Sequence, residues 1–292
     1  MLDVVVWEPS DLEQAFTLLA EHGDDARPLA GGTDLLVQLR QGRRRCRHLV
    51  SLEGLRGWDE VRVDGEVVLG SMVRVATLEK HPELKKAVPF LSEAAGLLGS
   101  RQVRNLATAG GNLCNAAPSA ELAPPLLALG ARARVVGPEG EREIPLESFF
   151  LGPGVTALGR GELLRQVSFR LPAGRWHGVY FKLSPRRAMD IAVVNVAVVL
   201  ALGEGETIAD ARVALGAVAP RPLRAHGAEE LLRGRVLTGE LLEQAASAAA
   251  AASRPISDVR APADYRRAMV KVLVARGLRR AWQALTGGEV GA

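Results

Sequence analysis

The chain has 292 residues, 48% of them hydrophobic and 24% charged, a composition that fits a globular protein with a buried core in two domains, or in one domain with subdomains. Its two cysteines, Cys46 and Cys114, exclude a disulfide framework, an iron–sulfur cluster and a thiolate zinc site, and fit a reducing cytoplasm. The net charge is +4, and basic residues crowd into Arg40–His48; with aromatics at only 4% there is little for bases to stack on, so this run reads as a solvated loop or a rim facing an acidic partner rather than a nucleic-acid patch.

Taken in order, Leu2 to Trp7 is a short β-branched strand. Ser10 then caps a helix from Asp11 to Glu21, with Glu13 completing a capping box and Leu12, Ala15, Phe16, Leu19 and Ala20 in helical spacing. Arg27 to Ala30 is a second strand, a helix runs through Gln41, and His48 to Ser51 is a third strand. The first 57 residues are thus a β-α-β-α-β unit, too small to be stable alone. No basic region precedes the apolar start, so no signal peptide is read, and no apolar run is long enough to span a membrane.

A second unit, 58–172, opens on a hairpin, Val61–Val63 and Val67–Gly70, turned by Asp64-Gly65. Thr77 caps a helix with Pro82 in its first half, and Val88 to Leu98 is another. Ser119 to Leu129 reads as a short helix. Ala133–Val136 pairs with Glu143–Pro145 through a turn at 138–140, and Leu163–Arg170 is an alternating strand. After a turn at 173–175, a C-terminal domain over 175–288 has three strands, Gly178–Leu183, Ile191–Leu202 and Thr207–Gly216. Three helices follow, Ala225–Leu232, Glu240–Ala252 and Asp264–Thr286.

Two glycine pairs carry the functional signal. Ala30-Gly31-Gly32-Thr33-Asp34 follows a strand, and Thr108-Ala109-Gly110-Gly111-Asn112 follows the polar run Ser100–Asn105. Glycines in such turns can expose successive N–H groups as a concave nest for an anion, with Thr108 and Asn112 adding side-chain donors. A helix starting at Ser119 would point its dipole at the same place. Two such loops suggest one elongated polyanionic ligand held at two places. No P-loop is present, and Gly152-Pro153-Gly154-Val155-Thr156-Ala157 fails as a Rossmann turn because Pro interrupts it and no acidic residue follows to grip a ribose. The five histidines, His22, His48, His81, His177 and His226, show no metal-ligand spacing.

AGGTDLLVQLR (30–40) followed by RQVRNLATAGGNLCNAAPSAELAPPLLALGA (101–131) resembles the FAD-binding subunit of the molybdenum hydroxylases, the family of carbon monoxide, xanthine, aldehyde, nicotinate and 4-hydroxybenzoyl-CoA enzymes. FKLSPRRAMDIAVVNVAVVL (181–200) is similar to the start of that family's C-terminal flavoprotein domain. The resemblance implies an α+β fold: a two-subdomain, vanillyl-alcohol-oxidase/PCMH-like FAD-binding domain, then a three-stranded sheet with helices. It implies that Leu29, Ala30, Gly31, Gly32, Thr33, Asp34 and Leu35 wrap the FAD pyrophosphate together with Thr108, Ala109, Gly110, Gly111 and Asn112. Glu121 would contact the sugar-like hydroxyls. Leu164 and Leu98 would pack on the isoalloxazine ring, Lys182 would lie near its polar edge and steady the reduced anion, and Asp190 and Ile191 would flank its open side.

The resemblance further implies a cytoplasmic electron-transfer role. The chain would take electrons from the [2Fe-2S] clusters of a small subunit, fed by a large molybdenum-cofactor subunit, and pass them to an external acceptor in a dimer of heterotrimers. A stand-alone flavin oxidoreductase and a non-catalytic nucleotide-binding or assembly protein are the alternatives.

Overall fold

The computed structural model describes residues 3–186 and 188–291. The expected strand start at Leu2, and Arg187 within the 181–200 segment, lie outside the described residues.

Strand β1 (Val5–Trp7), helix α1 (Leu12–His22), β2 (Ala26–Leu29), α2 (Leu35–Arg40) and β3 (His48–Ser51) form the first unit. Its sheet is parallel in the order β1-β3-β2, as helical crossovers between strands require. Ala15 and Leu19 of α1 pack on Leu52, Leu55, Trp58 and Leu163, so this small unit borrows core from the next one. The cap of α1 is one residue later than expected. Asp11 accepts from the Gln14 N–H at 2.9 Å, and Gln14 Oε1 accepts from the Ser10 N–H at 3.1 Å. The carboxylate takes the cap from the adjacent hydroxyl, which moves the reciprocal partner from Glu13 to Gln14.

The second unit is built on a five-stranded antiparallel sheet. β4 (Val61–Asp64) and β5 (Glu66–Gly70) make the expected hairpin, with Gly65 at φ +63°. The helix expected across Pro82 is instead two. α3 (Val75–Lys80) begins after Arg74, with Thr77 inside it, and α4 (Pro82–Ala87) begins at the proline, which lacks the N–H a continuing helix needs. α5 (Pro89–Gly96) follows, then α6 (Arg101–Leu106), a helix in the run read only as polar. It is capped by Ser100, which accepts from the Val103 N–H at 3.2 Å. α7 (Ala109–Cys114) and α8 (Ala123–Ala128) come next; α8 is shorter than the expected Ser119–Leu129 and starts just before the pair Pro124-Pro125.

Then come β6 (Arg132–Gly137), β7 (Gly140–Pro145), α9 (Leu146–Phe149), the small hairpin β8 (Phe150–Gly152) and β9 (Val155–Thr156), and β10 (Leu163–Arg170). The sheet order is β4-β5-β10-β6-β7.

The last part has one strand more than expected: β11 (Arg175–Leu183), β12 (Val194–Leu202), β13 (Ile208–Gly216) and the short edge strand β14 (Leu223–Arg224), antiparallel in that order. The extra strand is only two residues long, below what alternation can signal. Helices α10 (His226–Leu232), α11 (Gly239–Ala252) and α12 (Ala263–Thr286) follow. All of β12 is buried, because Ala197 and Val199 face the core containing α5 and α8 while Val196, Val198 and Leu200 face α10–α12. That two-sided burial explains its unbroken apolar run. Arg266 of α12, also buried, donates to the carbonyls of Val193 (2.8 Å) and Ala217 (3.1 Å) and to Asp258 Oδ1 (2.6 Å), locking the helix to the sheet.

Candidate functional site

The two glycine loops meet side by side on one cavity of about 600 Å³, within the range of about 300–1,000 Å³ typical of small-molecule and cofactor sites. They differ in what they offer. In the first loop β2 ends, Gly32 takes φ +69°, and α2 begins. Ala30, Gly31, Gly32, Thr33, Asp34 and Leu35 all line the cavity. The N–H groups of Gly31, Gly32, Thr33 and Asp34 have no internal acceptor among the described residues. Gly31 is required by packing: a Cβ there would collide with the carbonyl of Leu106 at the end of α6.

The second loop is not the nest its sequence suggests. Thr108-Ala109-Gly110-Gly111-Asn112 is the cap and first turn of α7, and neither glycine has positive φ. Its donors are already engaged. The Ala109 N–H goes to Val73 O at 2.8 Å, the Gly110 N–H to Ser71 O at 2.7 Å, and the Gly111 N–H to Thr108 Oγ1 at 3.0 Å. A Cβ on Gly110 would lie 2.5 Å from that of Ser71, so this glycine serves a close approach of the chain to β5's end. A Cβ on Gly111 would lie 3.0 Å from Thr108 Oγ1 and 3.7 Å from the Ala30 side chain, at the seam between the loops. A second tie across the seam is Gln38 Nε2, which donates to Asn115 Oδ1 at 3.1 Å.

Thr108, Gly110, Gly111 and Asn112 line the cavity, as do Leu98 and Leu164, which with Leu163 give it an apolar wall. Leu29 and Ala109 lie behind the lining: Leu29 packs with Leu39 and Leu49, and Ala109 is buried beneath its loop. The helix expected from Ser119 contributes no N-terminus, since α8 starts at Ala123.

Glu121 and Lys182 depart most from expectation. They form a buried ion pair of 2.7 Å, and Lys182 Nζ also donates to the carbonyl of Leu97 at 2.9 Å. Neither lines the main cavity; Lys182 borders a smaller recess of about 280 Å³ beside Leu97 and Ser184. Burial raises the Glu121 carboxyl against the pull of Lys182. Glu121 thus faces the lysine rather than the main cavity, and the charge expected at a ring edge is largely compensated. Asp190 accepts from Arg186 at 3.1 Å and Ile191 is half-exposed; they line neither space.

The structure adds residues that sequence patterns could not supply. Gly154 and Thr156, in the string that fails as a Rossmann turn, belong to the β8–β9 hairpin, which sits on the cavity. Arg27, Arg44 and Arg160 line it too, brought there by tertiary folding alone. Burial holds the Asp34 carboxyl above the usual range and pushes the Cys114 thiol up to about 12, so Cys114 is a neutral small group in the wall.

Residues 2–173 match the family described as the FAD binding domain in molybdopterin dehydrogenase, and residues 179–281 match the CO dehydrogenase flavoprotein C-terminal domain. The chain belongs to the FAD-binding subunits of the molybdenum hydroxylases. It is 35% identical to the carbon monoxide dehydrogenase medium chain of Hydrogenophaga pseudoflava over 94% of this chain and 95% of that one. It is 32% identical to the xanthine dehydrogenase FAD-binding subunit of Escherichia coli O157:H7 over 96% of both. A solved structure of the Hydrogenophaga pseudoflava carbon monoxide dehydrogenase superposes with a TM-score of 0.93 at 33% identity, covering 97% of this chain and 98% of that one.

The residues present suit the FAD that this family binds. Backbone donors without internal partners stand at Gly31 to Asp34 for a phosphate, and Leu98, Leu163 and Leu164 offer an aliphatic surface for a flat ring. Among the described residues no cluster of His, Cys, Asp or Glu could hold a metal ion, and no helix is long and apolar enough to cross a membrane.

Proposed function

We propose that this chain is the flavin relay of a three-subunit molybdenum hydroxylase, receiving electrons from iron–sulfur clusters on a small partner and delivering them to an external acceptor. The observation that carries the reading is the unpaired N–H series of Gly31–Asp34 beside an aliphatic wall, in a chain with too few cysteines for a cluster of its own. Bound FAD would supply the redox chemistry, exchanging electrons one or two at a time.

The protein's own part is positional. Gly31 to Asp34 hold a phosphate by backbone donors, Asn112 and Thr33 offer side-chain hydrogen bonds beside it, and Leu98 and Leu164 exclude water from the ring. Lys182, held by Glu121 and the Leu97 carbonyl, is a fixed and largely neutralised cation behind the Leu98 wall. The chain is read as two FAD-binding subdomains, 1–57 and 58–172, and a C-terminal domain over 175–288. The complex is read as a dimer of heterotrimers with a large molybdenum-cofactor subunit and a small iron–sulfur subunit.

The test is co-expression with the products of neighbouring genes, followed by native mass spectrometry and anaerobic spectroscopy. The reading expects three kinds of chain, with the flavin band bleaching after the iron–sulfur bands when substrate is oxidised on the large subunit. Direct reduction of the flavin by an organic substrate, in this chain alone, would overturn it.

A further inference from the structure

A diphosphate brings negative charge as well as acceptors, and the Gly31–Asp34 N–H groups with Thr33 and Asn112 answer only the acceptors; the N–H groups of Ala109, Gly110 and Gly111 are engaged inside the protein. The balancing charge must come from side chains. Of the three guanidinium groups on the cavity, Arg27 is held locally, its Nη1 donating to the carbonyls of Asp24 (2.9 Å) and Ala26 (2.7 Å). Arg44 and Arg160 have no side-chain hydrogen bond or ion pair among the described residues.

These two come from opposite walls and cross in opposite directions. Arg44 belongs to the basic loop between α2 and β3, and its Nη2 lies 3.9 Å from where a Cβ would stand on Gly154, in the β8–β9 turn. Arg160 belongs to the loop before β10, and its Nη2 lies 2.8 Å from the Cβ position of Gly23, at the end of α1. Each links one half of the FAD-binding domain to the other over the cavity. The acidic groups there do not cancel them. Glu162 is held by Arg142 through two contacts of 2.7 Å, and Asp24 and Asp34 are exposed carboxylates that pair with neither arginine among the described residues.

We propose that Arg44 and Arg160 bind the diphosphate of the dinucleotide as a pair of cationic straps, and that they make the site select an ADP-bearing flavin over riboflavin. The proposal rests on reading the cavity as the FAD site. A planar guanidinium suits phosphate oxygens, to which it can donate two parallel hydrogen bonds. This also gives the Arg40–His48 basic run a purpose: it carries Arg44 to the cavity rim.

The experiment is a fluorescence titration of the flavin-stripped full-length chain with FAD and with riboflavin, at low and high salt, for the wild type, Arg44→Gln, Arg160→Gln and the two lysine variants. Each glutamine variant should bind FAD about tenfold more weakly at low salt, the effect of losing one charge-assisted contact. Riboflavin binding should not change, and lysine should recover part of the loss. The difference should shrink in high salt, as the screening length falls from about 10 Å at 0.1 M to about 3 Å at 1 M. Glutamine variants that bind FAD as tightly as the wild type, with the same salt dependence, would overturn the straps while leaving the flavin site standing. A wild-type chain that takes up no FAD would overturn the reading beneath them.

Discussion

Gly110 and Gly111 are adjacent, and the structure separates their roles. Alanine at 110 would press on Ser71, whose backbone oxygen lies 2.8 Å from the new methyl position, so Gly110→Ala should cost about 1–3 kcal/mol of stability as overpacking does. Gly111 has helical backbone, where alanine is favoured by up to about 1 kcal/mol, and its methyl would enter the seam between the loops. Gly111→Ala should therefore fold at least as stably and hold FAD about tenfold more weakly. Urea midpoints and flavin content of the two variants check this, and the reverse pattern would show the assignments to be exchanged. The sequence made both glycines visible but not this division, because the acceptors that engage the loop, Ser71 and Val73, lie far upstream in the chain.

At the scale of elements, the strands and long helices were readable because their apolar periods are local: α1, β5, β10, β12 and α12 stand close to their expected places. α6 was not readable, since Arg101–Asn105 shows no apolar stripe; its order comes from the Ser100 cap and from Arg104, which donates to Glu79 at 2.8 Å. The clamp under α12 was equally hidden. Asp258 sits in it with its carboxyl lowered to about 2: burial opposes this, but the N–H groups of Arg260 and Ala261 and the Arg266 guanidinium outweigh it.

A carboxylate with a depressed folded-state pKa adds stability that is full above its unfolded value, near 4, and fades as pH falls towards 2. Asp258→Asn should lose about 2 kcal/mol at pH 7, the worth of hydrogen bonds to a charged group, and the gap to the wild type should close between pH 4 and pH 2. Unfolding midpoints across that range measure it; a gap independent of pH would contradict the electrostatic account.

Across the whole molecule, the Lys182–Glu121 pair joins the loop before α8 to β11, and so ties the FAD-binding half to the C-terminal sheet. Removing one partner strands a buried charge, which costs about 3–5 kcal/mol, whereas replacing both with apolar groups is often near neutral. Lys182→Met should therefore be strongly destabilising and the double variant Glu121→Leu/Lys182→Met much less so, as paired denaturation curves would show. Equal losses in the two would mean the pair contributes little beyond its packing. The sequence named both residues, yet their pairing brings together positions 61 residues apart and depends on β11 crossing the end of α5, where Lys182 meets the Leu97 carbonyl 85 residues away in the chain. The cavity is likewise a product of the whole fold, since Arg44, Arg160 and the turn at Gly154 join the glycine loops in lining it only after the chain has folded.

The central claim is that this cavity holds one FAD through the Gly31–Asp34 donors and the aliphatic wall of Leu98 and Leu164. Its most direct measurement is the flavin released from the purified full-length chain on denaturation, quantified against protein and identified by mass. One FAD per chain, lost together with the visible band, is the predicted result. A colourless chain that takes up no added FAD, even in the presence of its partner subunits, would contradict it.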